Sequence, residues 1–367
     1  MKRVKLGDIC NPKQWKTITK DVLTEDGYFV YGANGIIGKY SEYNHAERTI
    51  LVGCRGTCGC VTICEPFSYV NGNAMALDDL KDEVDIQYLF YHLKGRGFAD
   101  IITGGVQPQI IQSSIKGVEI NIPSKEQQAK IVKELDEISN LILSQNKKIS
   151  LLDELVKARF VELFGDPINN NKQWPISTVG AIATDVKYGT SRPATKGGKF
   201  PYLRMNNLTY DGNLDLTDLK YIDIPDNEYE KCVVRRGDIL FNRTNSVDLI
   251  GKTVAYDRPD EMIIAGYIIR VRLNEKLLPE VFSQYMNLEV MKKTLSSIAK
   301  GAVHQANINA QELKSIEVYL PEIGLQKEFV AFKQHIDKSK FEVQKKIDLY
   351  TELLNKKMDE YFNSEAN

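Results

Sequence analysis

The sequence predicts an α+β fold in which two globular α/β domains are joined by two long antiparallel helices, as a pseudo-two-fold internal repeat. A stretch with helical spacing of apolar residues occurs twice, at 123–164 and 321–362, and the copies align without a gap at an offset of 198 residues. Each copy follows a segment of short β-like runs broken by glycine and asparagine. A chain of 367 residues is also too long for one ordinary core. A repeat of this length determines the architecture.

The repeat divides the chain into five predicted segments. We expect a first globular domain at 1–123, a long spacer helix at 124–165, a second globular domain at 166–321, a second spacer helix at 322–363 and a tail at 364–367. Within the globules, helical spacing predicts short helices at 85–94 and 278–287, and alternation predicts a strand within 115–123.

The first spacer helix has clear start and stop signals. Ser124 is a good N-cap with Gln127 at capping-box spacing, and Gly165 and Pro167 end the helix. About 40 residues give a rod of roughly 60 Å. Such a rod cannot bury its apolar stripe alone, and antiparallel pairing avoids crowding both globules at one end, so a coiled coil is expected. The predicted helix-pairing residues are Ile131, Leu135, Ile138, Ile142, Ile149, Leu152, Val156, Phe329, Ile336, Val343, Ile347, Tyr350 and Leu354.

Composition is that of an ordinary globular protein, at 43% hydrophobic and 26% charged residues. The charged N-terminus does not resemble a signal peptide, and no run of about 18 apolar residues exists. We therefore expect a cytoplasmic protein with no membrane partner. The net charge of −1 does not suggest a lone, tight, non-specific nucleic-acid binder. If the chain binds DNA, it concentrates basic residues on one face or borrows charge from a partner.

Four of the six cysteines crowd into the segment 54–64. Four thiolates would suffice for a tetrahedral zinc ion, but the segment has no C-x-x-C pair and no second pair at a distance. Reduced cysteines in and beside a strand are the favoured interpretation. We predict no metal site.

Residues suited to DNA contacts occur in loops of both globules. Arginine pairs with guanine, asparagine and glutamine pair with adenine, and lysine and tyrosine suit phosphates. The alternative is that these asparagines are turn formers and these arginines are solvated surface residues. The first-domain candidates are Tyr31, Asn34, Lys39, Arg55, Gln107 and Gln109. The second-domain candidates are Tyr188, Thr190, Arg192, Lys196, Lys199, Arg204, Asn206, Asn207, Arg243, Asn245, Lys252, His304 and Gln305.

The middles of the two globules also match loosely. The run at 237–256 is similar to that at 48–63, and this alignment sets Arg243 opposite Arg55 and Gly251 opposite Gly59. The globules have repeated closing segments and divergent central segments. This pattern suggests two recognition domains for different targets on a common scaffold.

Several motifs together carry a family resemblance. They are LFGDP at 163–167, the helix openings IPSKEQQAKIV and LPEIGLQKEFV, YGTS at 188–191, LRMNN at 203–207 and GDILFNR at 237–243. With the 198-residue spacing, the whole chain resembles the specificity (S) subunit of type I restriction-modification enzymes. The resemblance implies two target recognition domains, each reading one half of a split asymmetric sequence in double-stranded DNA.

The same resemblance implies partners and cofactors. The helices would dock two methyltransferase (modification) subunits that methylate adenine N6, and two restriction subunits would join through them. S-adenosylmethionine would bind the modification subunit, and ATP and Mg the restriction subunit, with no cofactor on this chain. The opening of the second helix lacks the capping box, and Lys333 and Lys340 interrupt its stripe, so the helices are expected to hold their partners unequally.

Catalytic motifs are missing from the sequence. Asn11-Pro12 and Asp166-Pro167 lack the second proline and aromatic of an adenine-methylase motif, and no phosphate-binding G-x-x-x-x-G-K-[S/T] loop occurs. We therefore predict a non-catalytic specificity subunit. The alternative is a coiled-coil scaffold or adaptor without a nucleic-acid role; a zinc enzyme using the cysteines has little support.

Overall fold

A computed structural model describes residues 2–302 and 305–363. The chain forms two compact units, one of Met1–Lys148 with Val343–Asn367 and the other of Ile149–Glu342. These units cut across both predicted spacer helices, because pieces of both helices pack onto each globule.

The described part of the chain contains ten α-helices, two of them 40 residues long. The helices are α1 (Leu6–Ile9), α2 (Ile86–Arg96), α3 (Gln112–Lys116), α4 (Lys125–Phe164), α5 (Val179–Ile182), α6 (Asp226–Cys232), α7 (Pro279–Asn287), α8 (Glu289–Ile298), α9 (Ala310–Ser315) and α10 (Ile323–Phe362). Single 3-10 turns lie at Lys20–Val22, Met205–Asn207 and Val247–Leu249.

The strands are short. Those of the first unit are β1 (Lys2–Lys5), β2 (Asn11–Gln14), β3 (Tyr28–Gly32), β4 (Gly35–Tyr40), β5 (Ile50–Gly53), β6 (Val61–Ile63), β7 (Tyr69–Val70), β8 (Ala74–Asp78) and β9 (Glu119–Ile122). Those of the second are β10 (Ile176–Thr178), β11 (Ala183–Tyr188), β12 (Phe200–Leu203), β13 (Lys220–Ile222), β14 (Val233–Val234), β15 (Ile239–Asn242), β16 (Thr244–Asn245), β17 (Thr253–Ala255), β18 (Met262–Ile264), β19 (Ile268–Leu273), β20 (Lys300–Ala302), β21 (Gln305–Asn307) and β22 (Glu317–Tyr319).

The first unit has a four-stranded antiparallel sheet in the order β2-β8-β5-β6. Its inner face supplies Val52 and Met75 to a buried cluster that also holds Leu89 and Leu93 of α2. A smaller sheet, β4-β3-β7, and the pair β1-β9 complete the unit. These strands are rich in β-branched and other apolar residues, which pack well on a half-buried pleated sheet.

The second unit has the same plan with additions. Its main sheet has the order β11-β19-β15-β17, and Phe241 and Ile269 of that sheet pack with Phe282 and Met286 of α7. The second sheet has the order β13-β12-β18-β14. In it, β12 pairs antiparallel with β13 and parallel with β18, just as β3 of the first unit pairs antiparallel with β4 and parallel with β7. The sheet β16-β21-β20 and the pair β10-β22 complete the unit.

The closing block of each globule recurs at the predicted spacing. Helix α9 begins 198 residues after α3 begins at Gln112, and β22 begins 198 residues after β9 begins at Glu119. The long helices keep the same offset at both ends, since Lys125–Phe164 maps onto Ile323–Phe362. The two copies therefore have the same local structure as well as related sequences.

A buried glutamine fixes the start of each long helix to its globule. Gln128 accepts a hydrogen bond from the N–H of Asp85 (2.7 Å) and donates to the carbonyls of Glu83 and Pro123 (3.0 Å each). These bonds satisfy a buried amide that would otherwise be costly to desolvate. The same residue also continues the helix, because its own N–H donates to the carbonyl of Ser124 at 2.9 Å.

Gln326 repeats this junction in the second unit. It accepts from the N–H of Leu278 (2.8 Å) and donates to the carbonyls of Lys276 (2.9 Å) and Pro321 (2.8 Å). In both units, therefore, one glutamine side chain connects a long helix to the N-terminus of a shorter helix earlier in the globule, α2 in the first unit and α7 in the second.

The long helices pack on each other inside each unit. In the first unit, Ile131 and Leu135 share a buried cluster with Leu354, Met358 and Phe362. Aromatic residues Tyr88 and Tyr91 of α2 complete that cluster. The apolar stripe of each helix is thus buried against its partner helix and the globule together.

Ion pairs in the second unit show the direction of packing. Asp153 pairs with Lys340 and Arg159 pairs with Glu328, both at 2.5 Å. The residue numbers increase along α4 while those of the paired residues decrease along α10, so the helices are antiparallel within this unit.

The predicted helix-pairing residues are all buried or half-buried. The prediction omitted the aromatic and methionine positions at the ends of the stripes. These are Phe160, Phe164, Met358 and Phe362. The predicted N-cap bond is present, since the N–H of Gln127 donates to Ser124 Oγ at 3.3 Å. None of the helices in the described ranges has an apolar stretch long enough to cross a membrane.

Candidate nucleic-acid interface

The second unit has a cleft at the ends of its central strands. It has a volume of about 590 Å³. Its walls come from the loop after β11, from the turn after β12, from the β15–β16 junction and from the β18–β19 turn. Strands that pair in register bring these loops to one edge. The cleft is lined by Thr190, Ser191, Arg192, Pro193, Ala194, Tyr202, Arg204, Met205, Asn206, Arg243, Ala265, Gly266 and Tyr267.

Arg243 is held firmly in this cleft. Its guanidinium lies 4.9 Å from the centre of the Tyr188 ring, and the Tyr188 hydroxyl accepts a hydrogen bond from the N–H of Ala310 (2.8 Å). Nη2 donates to Asn307 Oδ1 (3.2 Å) and Nη1 lies 3.4 Å from the carbonyl of Gly266. A cation over an aromatic face with two further contacts has little rotamer freedom.

The other two cleft arginines are paired with carboxylates. Arg192 binds Glu228 (Nη2–Oε1 2.7 Å), and this bond holds the pKa of Glu228 below its usual range. Arg204 binds Asp218 at 2.7 Å, and hydrogen bonds from Lys220 and then Arg204 lower the pKa of Asp218. These exposed pairs order the rim at small net energy.

Two predicted DNA contacts of the second unit, Asn207 and Lys252, instead stabilise its interior. Asn207 is buried; it accepts from the N–H of Arg204 (2.9 Å) and donates to the carbonyl of Asp215 (2.8 Å). Lys252 is buried with Nζ on the carbonyl of Met205 (2.9 Å), and burial lowers its pKa. The Asn207 amide and the Lys252 ammonium have their partners inside the globule, so the structure does not favour the predicted DNA contacts of these two residues.

Thr190 and Asn245 follow the same pattern. The buried Thr190 hydroxyl accepts from the N–H of Arg192 at 3.2 Å. Asn245 is half-buried; it donates to Asn242 Oδ1 and accepts from the N–H of Ser246, both at 2.9 Å. Both residues shape the loops on which the cleft depends rather than presenting groups to a ligand.

The remaining candidates of the second unit lie at the surface or outside the described part. Lys196, Lys199 and Asn206 are exposed, and Lys199 Nζ lies 4.9 Å from the centre of the Phe200 ring. His304 lies outside the described residues, and Gln305 is described in its backbone only, in β21.

In the first unit, four predicted residues lie in the loops around the segment 53–60. Asn34 lies in the β3–β4 turn, and Cys60 Sγ donates to its Oδ1 at 3.2 Å. Arg55 and Gln109 form an isolated backbone bridge. Gln107 lies exposed in the same loop as Gln109. The edge formed by these loops is the candidate interface of the first unit.

Tyr31 does not belong to that edge. It is buried, and its hydroxyl accepts from the N–H of Glu65 at 3.2 Å, so its predicted DNA contact is withdrawn. Lys39 is half-buried on β4, several residues from the turn, with Nζ 6.0 Å from the centre of the Phe29 ring.

The crowded cysteines have separate hydrogen-bond partners. Cys54 Sγ accepts from Gln14 Nε2 (3.0 Å), whereas Cys58 Sγ donates to the carbonyl of Pro108 (3.0 Å). Burial raises the pKa of the Cys54 and Cys64 thiols, which disfavours thiolates. No group of three or more potential ligands lies close enough to hold a metal ion within residues 2–302 and 305–363.

The predicted match of Arg243 with Arg55 is wrong by one residue. The N–H of Ile308 donates to the carbonyl of Arg243 (2.9 Å), and the equivalent N–H of Ile110 donates to the carbonyl of Cys54 (3.0 Å). Arg243 therefore occupies the position of Cys54. By strand pairing, Tyr188 likewise occupies the position of Gln14.

The two units thus have related folds, and each presents recognition-candidate loops at one edge of its sheets, with a cationic cleft in the second unit. Comparison with known proteins identifies this fold. The model of the type I restriction modification DNA specificity domain matches residues 1–154 and 171–350. The chain belongs to this family. The resemblance drawn from sequence motifs is thereby confirmed, and the two matched segments account for two domain copies of mixed helix and strand content.

Individual members of the family are distant relatives. The putative type I restriction enzyme MjaX specificity subunit of Methanocaldococcus jannaschii is 28% identical over 189 residues, which cover 50% of this chain and 43% of that protein. The type I restriction enzyme EcoKI specificity subunit of Escherichia coli is 23% identical, covering 58% and 49%. The matches thus span less than half the length of these two relatives.

A solved structure shows the same fold over the full chain. The crystal structure of the type I restriction-modification system S subunit from M. genitalium covers 100% of this chain and 96% of that one, with a TM-score of 0.54 at 17% identity. The specificity-domain fold of this chain is therefore shared from end to end.

Sequence reasoning missed part of the second-unit cleft. Met205, Gly266 and Tyr267 line it, and Tyr267 is 51% exposed. The available signal was an aromatic after a glycine in AGY between two apolar runs, which marks a turn that presents a side chain.

Proposed function

We propose that this chain is the sequence-specific DNA-recognition subunit of a type I restriction-modification complex. The observation that carries the proposal is the arginine-lined cleft at the loop edge of a specificity-domain frame. Arginine held in a fixed orientation suits base-edge recognition, whereas the exposed lysines of the loop after β11 suit phosphates. Near-neutral net charge fits a reader whose partners supply part of the phosphate neutralisation.

The target is proposed to be bipartite and asymmetric. The two units share one frame but differ in the side chains at their loop edges, so each unit reads a different half-site. The long helices form a coiled coil with a pseudo-two-fold relation between the globules, and they set the spacing of the two half-sites. Helices of 40 residues give roughly 60 Å, or about 17 base pairs of B-DNA.

Methyltransferase subunits are proposed to dock on the outward faces of these helices. Leu143 and Leu349 are 65% and 60% exposed, and Leu151 and Leu155 are 53% and 47% exposed. Apolar side chains repeated along a helix face indicate an interaction surface. Two adenine-N6 methyltransferase subunits would bind there, and restriction subunits would join through them.

The chemistry belongs to those partners in this proposal. S-adenosylmethionine would be bound by the modification subunit, and ATP and Mg by the restriction subunit. A base in duplex DNA must be extruded into a pocket before methylation, and that pocket would be the partner's. The chain itself is non-catalytic and acts in the cytoplasm.

The decisive experiment is methylation of a random-sequence DNA library by the cognate methyltransferase subunits, with and without this chain. We expect one split, asymmetric motif to be methylated only when the chain is present. Sequence-specific methylation without the chain would contradict the proposal. A coiled-coil scaffold predicts an assembled complex with no preferred sequence, which gel-shift titration of that complex would reveal.

A further inference from the structure

One guanidinium of the second-unit cleft, that of Arg243, is held in a fixed position. Arg243 projects from the junction of β15 and β16, and its backbone is tied by bonds to Tyr267 and Ile308 (2.9 Å each). Its side chain lies over the Tyr188 ring, which is itself anchored on α9. Both backbone and side chain are therefore preorganised before any ligand binds.

The charge of Arg243 is uncompensated, unlike that of its neighbours. Within residues 2–302 and 305–363, its contacts are the Tyr188 ring, the carbonyl of Gly266 and the amide oxygen of Asn307, all neutral. Arg192 and Arg204, in contrast, are each bound to a carboxylate. An anionic or acceptor-rich ligand in the cleft would therefore be attracted more strongly to Arg243 than to Arg192 or Arg204.

Two buried donors in the cleft also have no acceptor. The Nε atoms of Arg243 and Arg204 are both buried without a hydrogen-bond partner in the described part of the chain. Buried donors are nearly always satisfied in folded proteins, so both guanidinium groups make fewer hydrogen bonds than they can. Both arginines line the same cleft.

From these observations we infer that Arg243 reads a guanine in the major groove of the half-site bound by the second unit. The inference rests on the function proposed above and adds the base and the residue. Guanine presents O6 and N7 as two acceptors on one edge, and a planar guanidinium matches them with two parallel donors. A phosphate contact needs no such fixed plane, and the exposed Lys196 and Lys199 in the loop after β11 suit that role.

The first unit provides the internal contrast. At the positions of Tyr188 and Arg243 it has Gln14 and Cys54, whose side chains bond to each other at 3.0 Å. That pair offers no guanidinium to a base. The Arg243 contact inferred here therefore has no counterpart at the equivalent position of the first unit.

The first test is the methylation motif of variant complexes on a random-sequence library. Arg243→Ala should remove the preference for one G·C pair in the second half-site, at a discrimination of about 5- to 150-fold, and leave the first half-site unchanged. Arg243→Lys should also lose it, because an ammonium cannot make the bidentate contact. Lys199→Ala is the matched control and should weaken binding evenly across sequences.

The second test uses the unaltered protein, so it does not depend on the folding of a variant. The guanine in question is replaced by 7-deazaguanine, which lacks N7, or by inosine, which keeps O6 and N7. We expect methylation to fall with 7-deazaguanine and to persist with inosine. Equal activity on 7-deazaguanine DNA, or uniform weakening without a motif change in Arg243→Ala, would overturn the inference and leave the recognition function standing. A wild-type complex without any sequence preference would instead overturn the proposed function itself.

Discussion

The two units differ at one pair of equivalent positions where the main sheet ends. In the first unit Gln14 and Cys54 face each other at the end of the main sheet, and in the second Tyr188 and Arg243 do so. The strands beneath them pair in the same order, and the same backbone bond follows each pair. The frame is therefore repeated, and the recognition surface is varied at the points where strands end.

This comparison makes a claim about energy as well as geometry. Equivalent frame positions should cost similar amounts when damaged in either unit, whereas features present in only one unit should affect that unit alone.

The helix core should be the most sensitive frame position. Ile131 and Phe329 are equivalent at the 198-residue offset and are almost fully buried. Phe329→Ala should lower the free energy of unfolding by about 3–5 kcal/mol, and Ile131→Ala by about 2–5 kcal/mol. Phe329 is expected at the upper end because its ring also contacts Phe160 and Phe164, with centroids 5.3 and 5.6 Å away.

Urea unfolding, with hydrogen exchange to locate the affected unit, measures these changes. Leu143→Ala is the control, since that side chain is 65% exposed and should cost little. A loss at Phe329 no larger than at Leu143 would show that the helix pair does not stabilise the second unit.

The glutamine junctions should come next. Gln128→Ala and Gln326→Ala each leave a backbone N–H and two carbonyls without their partner, at an expected cost of about 3 kcal/mol. The neighbouring changes Gln127→Ala and Lys327→Ala affect exposed side chains and should cost far less. Thermal unfolding compares the four variants. Unequal losses at Gln128 and Gln326 would break the equivalence of the two frames.

A buried lysine in the second unit should make stability depend on pH. Burial lowers the pKa of Lys292 on α8 from 10.5 to about 7, with a smaller contribution from Lys252. Between these values the unfolded chain binds more protons than the folded chain, so stability rises with pH. From pH 7 to pH 9 the gain should be about 2 kcal/mol.

Lys292→Met should abolish this gain, and Lys293→Met, at an exposed neighbour, should retain it. Urea unfolding at the two pH values measures the difference. A rise of the same size in Lys292→Met would assign the pH dependence to other groups, such as Lys252.

The long helices could be predicted closely from sequence because their signals are local. Ser124 as a cap and Gly165 after the end mark α4, and the uninterrupted offset transfers those limits to α10. The short helices α2 and α7 also follow from helical spacing. Helix α8 was missed because Leu288 separates it from α7 by a single residue and no cap marks the break.

The loop residues were predicted less well, because burial of a polar side chain depends on contacts distant in sequence. Asn207 and Lys252 have residue types suited to DNA, but their partners Asp215 and Met205 fix them inside the globule. The match of Arg243 to Arg55 failed for a related reason. Residue identity favoured one alignment, whereas the backbone bond to Ile308 requires another.

The glutamine junctions have a mechanical consequence for each unit. Gln128 and Gln326 each connect the first turn of a long helix to the start of a short one through two hydrogen bonds, while a third bond goes to the proline just before their own helix. A globule cannot rotate about its own helix axis without breaking the two bonds that cross this junction. Rotation of a long helix is therefore coupled to the globule on which it packs.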